Sequence, residues 1–150
     1  MNRVAPKPAS DPLYAALDRL SAIIGKRNTV WPADGERFPA YLHDETYLRG
    51  NAELVLRPGS VAEVCALVAE VNALRAGFPD EKDKLSFTLR GGGSGLSGAC
   101  VPSRGIVLDL TRLNRILDVD LRNRAIRAEC GVILAAFDEA LSGSGLCYAV

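Results

Sequence analysis

Nine residues, RGGGSGLSG from Arg90 to Gly98, hold five glycines and two serines and follow directly on residues 85–89, whose apolar character predicts a strand. Neither a helix nor a strand interior suits that density, because glycine loses more backbone freedom on folding than any other residue. What the segment offers is a chain free to take positive φ, with no side chains between its main chain and a ligand. Consecutive N–H groups can then face one concavity and hold an anion, with a phosphate or pyrophosphate as the natural guest. Ser94 and Ser97 add hydroxyl donors, and Arg90 brings positive charge to the rim.

Other readings of the same letters compete. The dinucleotide fingerprint GxGxxG fails when laid on Gly91, Gly93 and Leu96 but fits Gly93, Gly95 and Gly98. It requires a helix to begin at the loop, however, and ACVPSRG with Pro102 and Gly105 does not read as one. A P-loop needs a lysine followed by serine or threonine, which is missing. The hydrolase elbow GxSxG almost appears at Gly95, Leu96, Ser97 and Gly98, but Ala99 replaces its last glycine, and the lone histidine, His43, lies upstream of the serine instead of after it. A purely structural hairpin stays open as the bland alternative.

The flanking sequence sets this loop in an α+β frame. Asp11 or Ser10 predicts the cap of a helix carrying Leu13, Ala16, Leu17, Leu20, Ile23 and Ile24 on one side and ended by Gly25. From Lys26 to Asn51, Pro32, Gly35, Pro39 and Gly50 break any period, which reads as ordered loop. Leu54, Val55 and Leu56 make a short strand. Pro58 and Gly59 turn the chain, and Ser60 with Glu63 predicts a reciprocal capping box. It starts a helix carrying Val61, Val64, Leu67, Val68, Val71 and Leu74 to about Gly77. Strand, helix and strand in that order imply a right-handed parallel crossover to a neighbouring strand. Beyond the glycines, residues 106–110 predict a buried strand, 116–119 and 125–128 a hairpin around a polar turn, and 132–141 a helix. The apolar ending, residues 145–150, reads as an interrupted strand, since domain ends are commonly exposed and polar.

Composition narrows the partners. Eighteen basic and eighteen acidic residues cancel, so no net field draws nucleic acid or anionic lipid. Cys65, Cys100, Cys130 and Cys147 form no CxxC pair and read as reduced, mostly buried thiols, with neither a zinc site nor a disulfide framework. The start, MNRVAPKPASDP, lacks a signal-peptide core and nowhere do eighteen apolar residues run together, so no transmembrane segment is expected and the cytoplasm is the expected compartment.

Five motifs carry a family resemblance: YLHDET from Tyr41, LRPGSVAEV from Leu56, RGGGSGLSGACVP from Arg90, GIVLDLTRLNRILDVD from Gly105 and AECGV from Ala128. In that order and spacing the chain resembles the FAD-linked oxidases of the p-cresol methylhydroxylase and vanillyl-alcohol oxidase superfamily, of the glycolate oxidase subunit or D-lactate dehydrogenase type. The resemblance implies the first, βαβ-containing subdomain of a PCMH-type FAD-binding domain, truncated. Residues 1–50 would be a helix-and-loop arm and residues 51–150 the N-terminal half of the FAD-binding domain, with the substrate (cap) domain absent and a second glycine-rich flavin segment following Val150. It further implies that Gly91, Gly92, Gly93, Ser94, Gly95, Leu96, Ser97 and Gly98 wrap the pyrophosphate of a non-covalent FAD, with Arg90 at the rim and Pro58 near the adenine end. In such a flavoprotein oxidoreductase the flavin takes a hydride from C2 of a 2-hydroxy acid, while a base in the later domain takes the hydroxyl proton. This chain would hold no catalytic residue and no metal ligand. The alternative is a non-catalytic remnant or interaction subunit derived from such an enzyme.

Two departures bear on the cofactor. The loop has glycine or serine where some branches attach flavin to a histidine, which implies no covalent bond. Ala99 stands where relatives carry a further glycine, and a positive φ there would cost about 1 kcal/mol or more. Elsewhere, His43 reads as a structural hydrogen-bonding residue, Asp44 and Glu45 as cap or turn residues, and Cys100 as a small buried thiol. Arg112, Arg115, Arg122, Arg124 and Arg127, interleaved with Asp109, Asp118, Asp120 and Glu129, read as a solvated hairpin face.

Overall fold

In the computed structural model, which describes residues 11–148, a four-stranded sheet has the order β1-β2-β4-β3. Its strands are β1 (Thr29–Val30), β2 (Leu54–Leu56), β3 (Phe87–Arg90) and β4 (Ile106–Asp109). β4 runs parallel to both β2 and β3, and β1 is antiparallel to β2. The expected crossover from β2 therefore does not reach a neighbouring strand. It leaves a gap that β4 fills, because the residues after the glycine loop return along the same direction.

Alternation along the central strands builds two cores. Leu54, Leu56, Ile106 and Leu108 face one way and pack with helix α1 (Pro12–Ile24) and helix α2 (Val61–Gly77) through Leu13, Leu17, Leu20, Leu67, Val71 and Leu74. Val55 and Val107 face the other way and meet Val30, Phe38 and Ala52. Parallel strands need cover on both faces. Here the helices supply one cover, and residues 31–52, with their 3-10 turns at Gly35–Arg37 and Pro39–Tyr41, supply the other. The irregular stretch from Lys26 to Asn51 is thus ordered, as its punctuation suggested. Strand β1 inside it escapes sequence reading because two residues show no period.

Both helix starts follow from their caps. The Asp11 side chain accepts the Leu13 amide at 2.9 Å with Pro12 in the first turn, and Gly25 ends the helix at φ 81°. Ser10, the other candidate cap, lies outside the described residues. At α2 the Ser60 hydroxyl accepts the Glu63 amide at 3.1 Å, but the Glu63 carboxylate takes the Gly59 amide at 2.6 Å and not that of Ser60. The box reaches one residue further back and pins the turn after β2. Ser60→Ala is expected to cost about 1 kcal/mol of stability, read as a lower melting temperature, and an unchanged transition would contradict this role.

Other expectations need correction. Val61 and Val68 are exposed, so the buried stripe of α2 is narrower than its apolar spacing. The strand before the glycines begins at Phe87, and Leu85 instead closes the preceding turn as a buried core residue. A hairpin of β5 (Ile116–Asp120) and β6 (Ala125–Ala128) forms as expected, followed by α3 (Leu134–Leu141), which starts two residues later than its apolar pattern. Residues 146–148 are in no strand, and Tyr148 stacks on Phe137 with ring centroids 4.9 Å apart; Ala149 and Val150 lie outside the described residues. All four cysteines are free, but Cys65, Cys130 and Cys147 are exposed and Cys100 only half-buried. No helix among the described residues is long and apolar enough to cross a membrane.

Candidate functional site

Because β2, β4 and β3 are parallel, their carboxyl ends share one edge, and each runs there into a turn carrying polar groups. In open α/β sheets ligands bind outside such an edge. From β2 come Arg57, Pro58 and Gly59, leading into the N-terminus of α2. From β4 come Asp109 and Thr111. From β3 comes the glycine loop.

The glycines of the loop divide into two kinds. Gly93 and Gly98 have φ of 76° and 75°, and a Cβ would fall 2.1 Å from the Arg90 guanidinium at the first and 2.5 Å from the Leu48 side chain at the second. The chain's own geometry demands them. Gly91, Gly92 and Gly95 have no such φ, and an added Cβ would meet nothing nearer than 3.8 Å. Nothing within the protein requires glycine there, and the bare main chain leaves room for close approach from outside. Among the described residues, the amides of residues 91–97 donate to no main-chain carbonyl. Gly92, Ser94, Gly95, Leu96 and Ser97 are exposed. The loop fits a diphosphate, and the competing picture of a self-bonded hairpin does not describe it. Ala99 has no positive φ, since Arg124 at 52° is the one non-glycine of that kind among the described residues, so the strain that a left-handed Ala99 would carry does not arise.

Arg90 does more than sit at the rim. Its guanidinium folds back over Gly93 and donates to the carbonyls of His43 at 2.7 Å and Ala40 at 3.2 Å, with its carbon 5.8 Å from the centre of the Tyr41 ring. It ties the loop entry to residues 40–43. Pro58 is fully buried and shapes the turn after β2 from within. Beside Gly98 a concavity of about 370 Å³ opens, lined by Leu48, Arg49, Asn51, Val101 and Ser103 among others.

The sequence reading missed a buried charge network behind this edge. Asp109 is 2% exposed; it accepts Arg57 Nε at 2.8 Å and both the amide (2.9 Å) and hydroxyl (2.6 Å) of Thr111. Arg112 in turn donates to the Arg57 carbonyl at 2.8 Å and lies against Gly59, where a Cβ would fall 2.6 Å from its guanidinium. Asp109 and Arg112 therefore leave the solvated face assigned to them, while Arg115 and Glu129, paired at 2.7 Å, stay on the hairpin. Burial first, and then the Asp109 charge, push the Tyr41 hydroxyl above its usual range. One signal was available: Asp109 is the single charge ending the apolar run IVLD, and Thr111 follows at the spacing of an Asx turn. His43 takes the structural role expected of it, its ring 3.3 Å from the Asp44 carbonyl. Among the described residues no cluster of His, Cys, Asp and Glu is placed to hold a metal ion.

A glycine loop whose amides meet no main-chain carbonyl, at the carboxyl edge of a parallel sheet, has the chemistry to fit the diphosphate of a nucleotide cofactor. Comparison with known proteins makes the class specific. Residues 52–150 match the FAD binding domain family, and the chain belongs to it, as part of the FAD-linked oxidases whose cofactor is FAD. It is 34% identical over 137 residues to an uncharacterised FAD-linked oxidoreductase of Mycobacterium tuberculosis, covering 88% of this chain and 27% of that protein. It is 36% identical over 138 residues to a D-lactate dehydrogenase of Archaeoglobus fulgidus, again covering 88% and 27%. The chain thus spans about a quarter of the length of these curated relatives. The crystal structure of p-cresol methylhydroxylase superposes with a TM-score of 0.63 at 14% identity, over 89% of this chain and 25% of that one, and shares its fold. The expected α+β, PCMH-type architecture stands.

Proposed function

We propose that the chain binds FAD non-covalently through its diphosphate, using Gly91, Gly92, Gly93, Ser94, Gly95, Leu96, Ser97 and Gly98. Arg90 shapes the loop entry and Pro58 fixes the turn toward the adenine end. The observation that carries this reading is the set of glycines that the protein does not need for itself, Gly91, Gly92 and Gly95, beside amides with no main-chain partner. Residues 51–150 act as the N-terminal half of the FAD-binding domain, and residues 1–50 as an arm that braces it.

Bound FAD supplies a hydride acceptor. The chain's own residues hold and orient it: outward amides meet the diphosphate, and the bare main chain at Gly92 and Gly95 permits close approach. We infer that the whole protein oxidises a 2-hydroxy acid of the D-lactate or glycolate kind, a reading supported by the name of the Archaeoglobus relative. The group that takes the hydroxyl proton is assigned to regions corresponding to the rest of the relatives' length. We assign the protein to the cytoplasm, where four free cysteines stay reduced.

Titrating the chain with FAD is expected to give saturable quenching of flavin fluorescence, reversed by ADP and much less by AMP, which lacks the diphosphate. Equal competition by AMP would contradict binding through the loop. In a protein of the relatives' full length, a D-2-hydroxy acid is expected to bleach the flavin absorption; a flavin that stays oxidised with D-lactate and glycolate would overturn the substrate class.

A further inference from the structure

Asp44 lies beneath the glycine loop and is only 5% exposed, yet the function described so far gives it no work. One carboxylate oxygen, Oδ1, accepts both the amide (2.9 Å) and the hydroxyl of Thr46. The other, Oδ2, faces the loop: it is 3.9 Å from Cys100 Sγ and 3.8 Å from where a Gly95 Cβ would lie. The Gly98 amide also turns to this carboxylate, and together with the Thr46 bonds, which contribute most, it holds the Asp44 pKa below the usual range. The same Cys100 sulfur accepts Arg90 Nη1 at 3.7 Å, which links the thiol to the loop entry.

We propose that Asp44 is a positioning residue for FAD, which holds the Gly95–Cys100 side of the glycine loop in its binding shape without touching the cofactor; this rests on the diphosphate reading above. The physical reason is the match of donors to acceptors. An ionised carboxylate is acceptor-only, with about four lone-pair sites, and around Asp44 stand the Thr46 amide, the Thr46 hydroxyl, the Gly98 amide and the Cys100 thiol. With the loop exit anchored from below, the amides before it stay directed outward, and the ordering is complete before the cofactor arrives. Such preorganisation raises affinity by lowering the cost of binding. An amide side chain cannot substitute, because its NH2 would face donors.

Asp44→Asn is therefore the decisive variant, compared with Asp44→Ala and with Leu20→Ala, a core substitution remote from the loop. Below all melting transitions, both Asp44 variants are expected to raise the Kd for FAD at least tenfold, whereas Leu20→Ala lowers the melting temperature and leaves Kd within twofold. In the ligand-free chain, both Asp44 variants are expected to shift the Gly95 and Gly98 amide resonances and to speed hydrogen exchange at Gly98. Asp44→Asn binding FAD within twofold of the unsubstituted chain would overturn the positioning role, as would unmoved Gly95 and Gly98 resonances. A protein of the relatives' full length that binds no FAD would instead refute the reading beneath it, and the ligand-free resonances would still decide whether Asp44 shapes the loop.

Discussion

Gly92→Leu is expected to leave the melting temperature of the ligand-free chain almost unchanged and to weaken FAD binding by roughly a hundredfold, about 2.7 kcal/mol. The two halves of that result have separate causes. In the chain alone, a Cβ at Gly92 would meet only the Ser94 hydroxyl, at 4.0 Å, and no positive φ is demanded. With the cofactor bound, the new side chain occupies the space that the bare main chain leaves open. Gly98→Leu should behave differently. Its φ of 75° and the Leu48 side chain 2.5 Å from the added Cβ make the substitution strained before any ligand binds, so stability and affinity fall together. If Gly92→Leu instead lowered stability as much as Gly98→Leu, the open glycines would be part of the fold and not of a binding surface.

Asp109→Ala is expected to destabilise the protein by about 3–5 kcal/mol, the range found when one partner of a buried ion pair is removed. The loss would exceed that of a surface pair because the carboxylate is nearly inaccessible and its removal strands three donors: Arg57 Nε and the amide and hydroxyl of Thr111. The Arg115–Glu129 pair is the internal comparison. Its arginine is 77% exposed, and removing it is expected to leave the denaturation midpoint close to that of the unsubstituted chain. Urea denaturation of the two variants measures both. A loss under about 1 kcal/mol for Asp109→Ala would mean that Arg57 and Thr111 find water instead.

Much of this was legible in the sequence, and the limits have physical causes. α1 was readable to its ends because Asp11, Pro12 and Gly25 punctuate an amphipathic run, and β4 because an apolar run sits between Gly105 and a charge. The glycine loop was readable as an open, irregular segment because neither a helix nor a strand interior suits five glycines in nine residues. Which of those glycines the fold itself requires was not, since φ and the nearest neighbours of an absent Cβ exist only in three dimensions. Asp44 and Asp109 share the pattern D-x-T, and in both the carboxylate takes the amide and hydroxyl two residues on. That local bond is visible as a turn signal. Their burial is not, because it comes from strands and loops about 50 residues away: Arg57 for Asp109, and Gly95 to Cys100 for Asp44. The same blindness to packing misplaced Arg112 on a solvated face and the cysteines in the core.

The most direct measurement is an amide-resolved NMR titration of the chain with FAD, and in parallel with ADP. Saturating changes centred on the amides of residues 91–97, alike for both ligands, are the predicted result. Saturable FAD binding that leaves those amides unmoved and perturbs another surface would contradict the account.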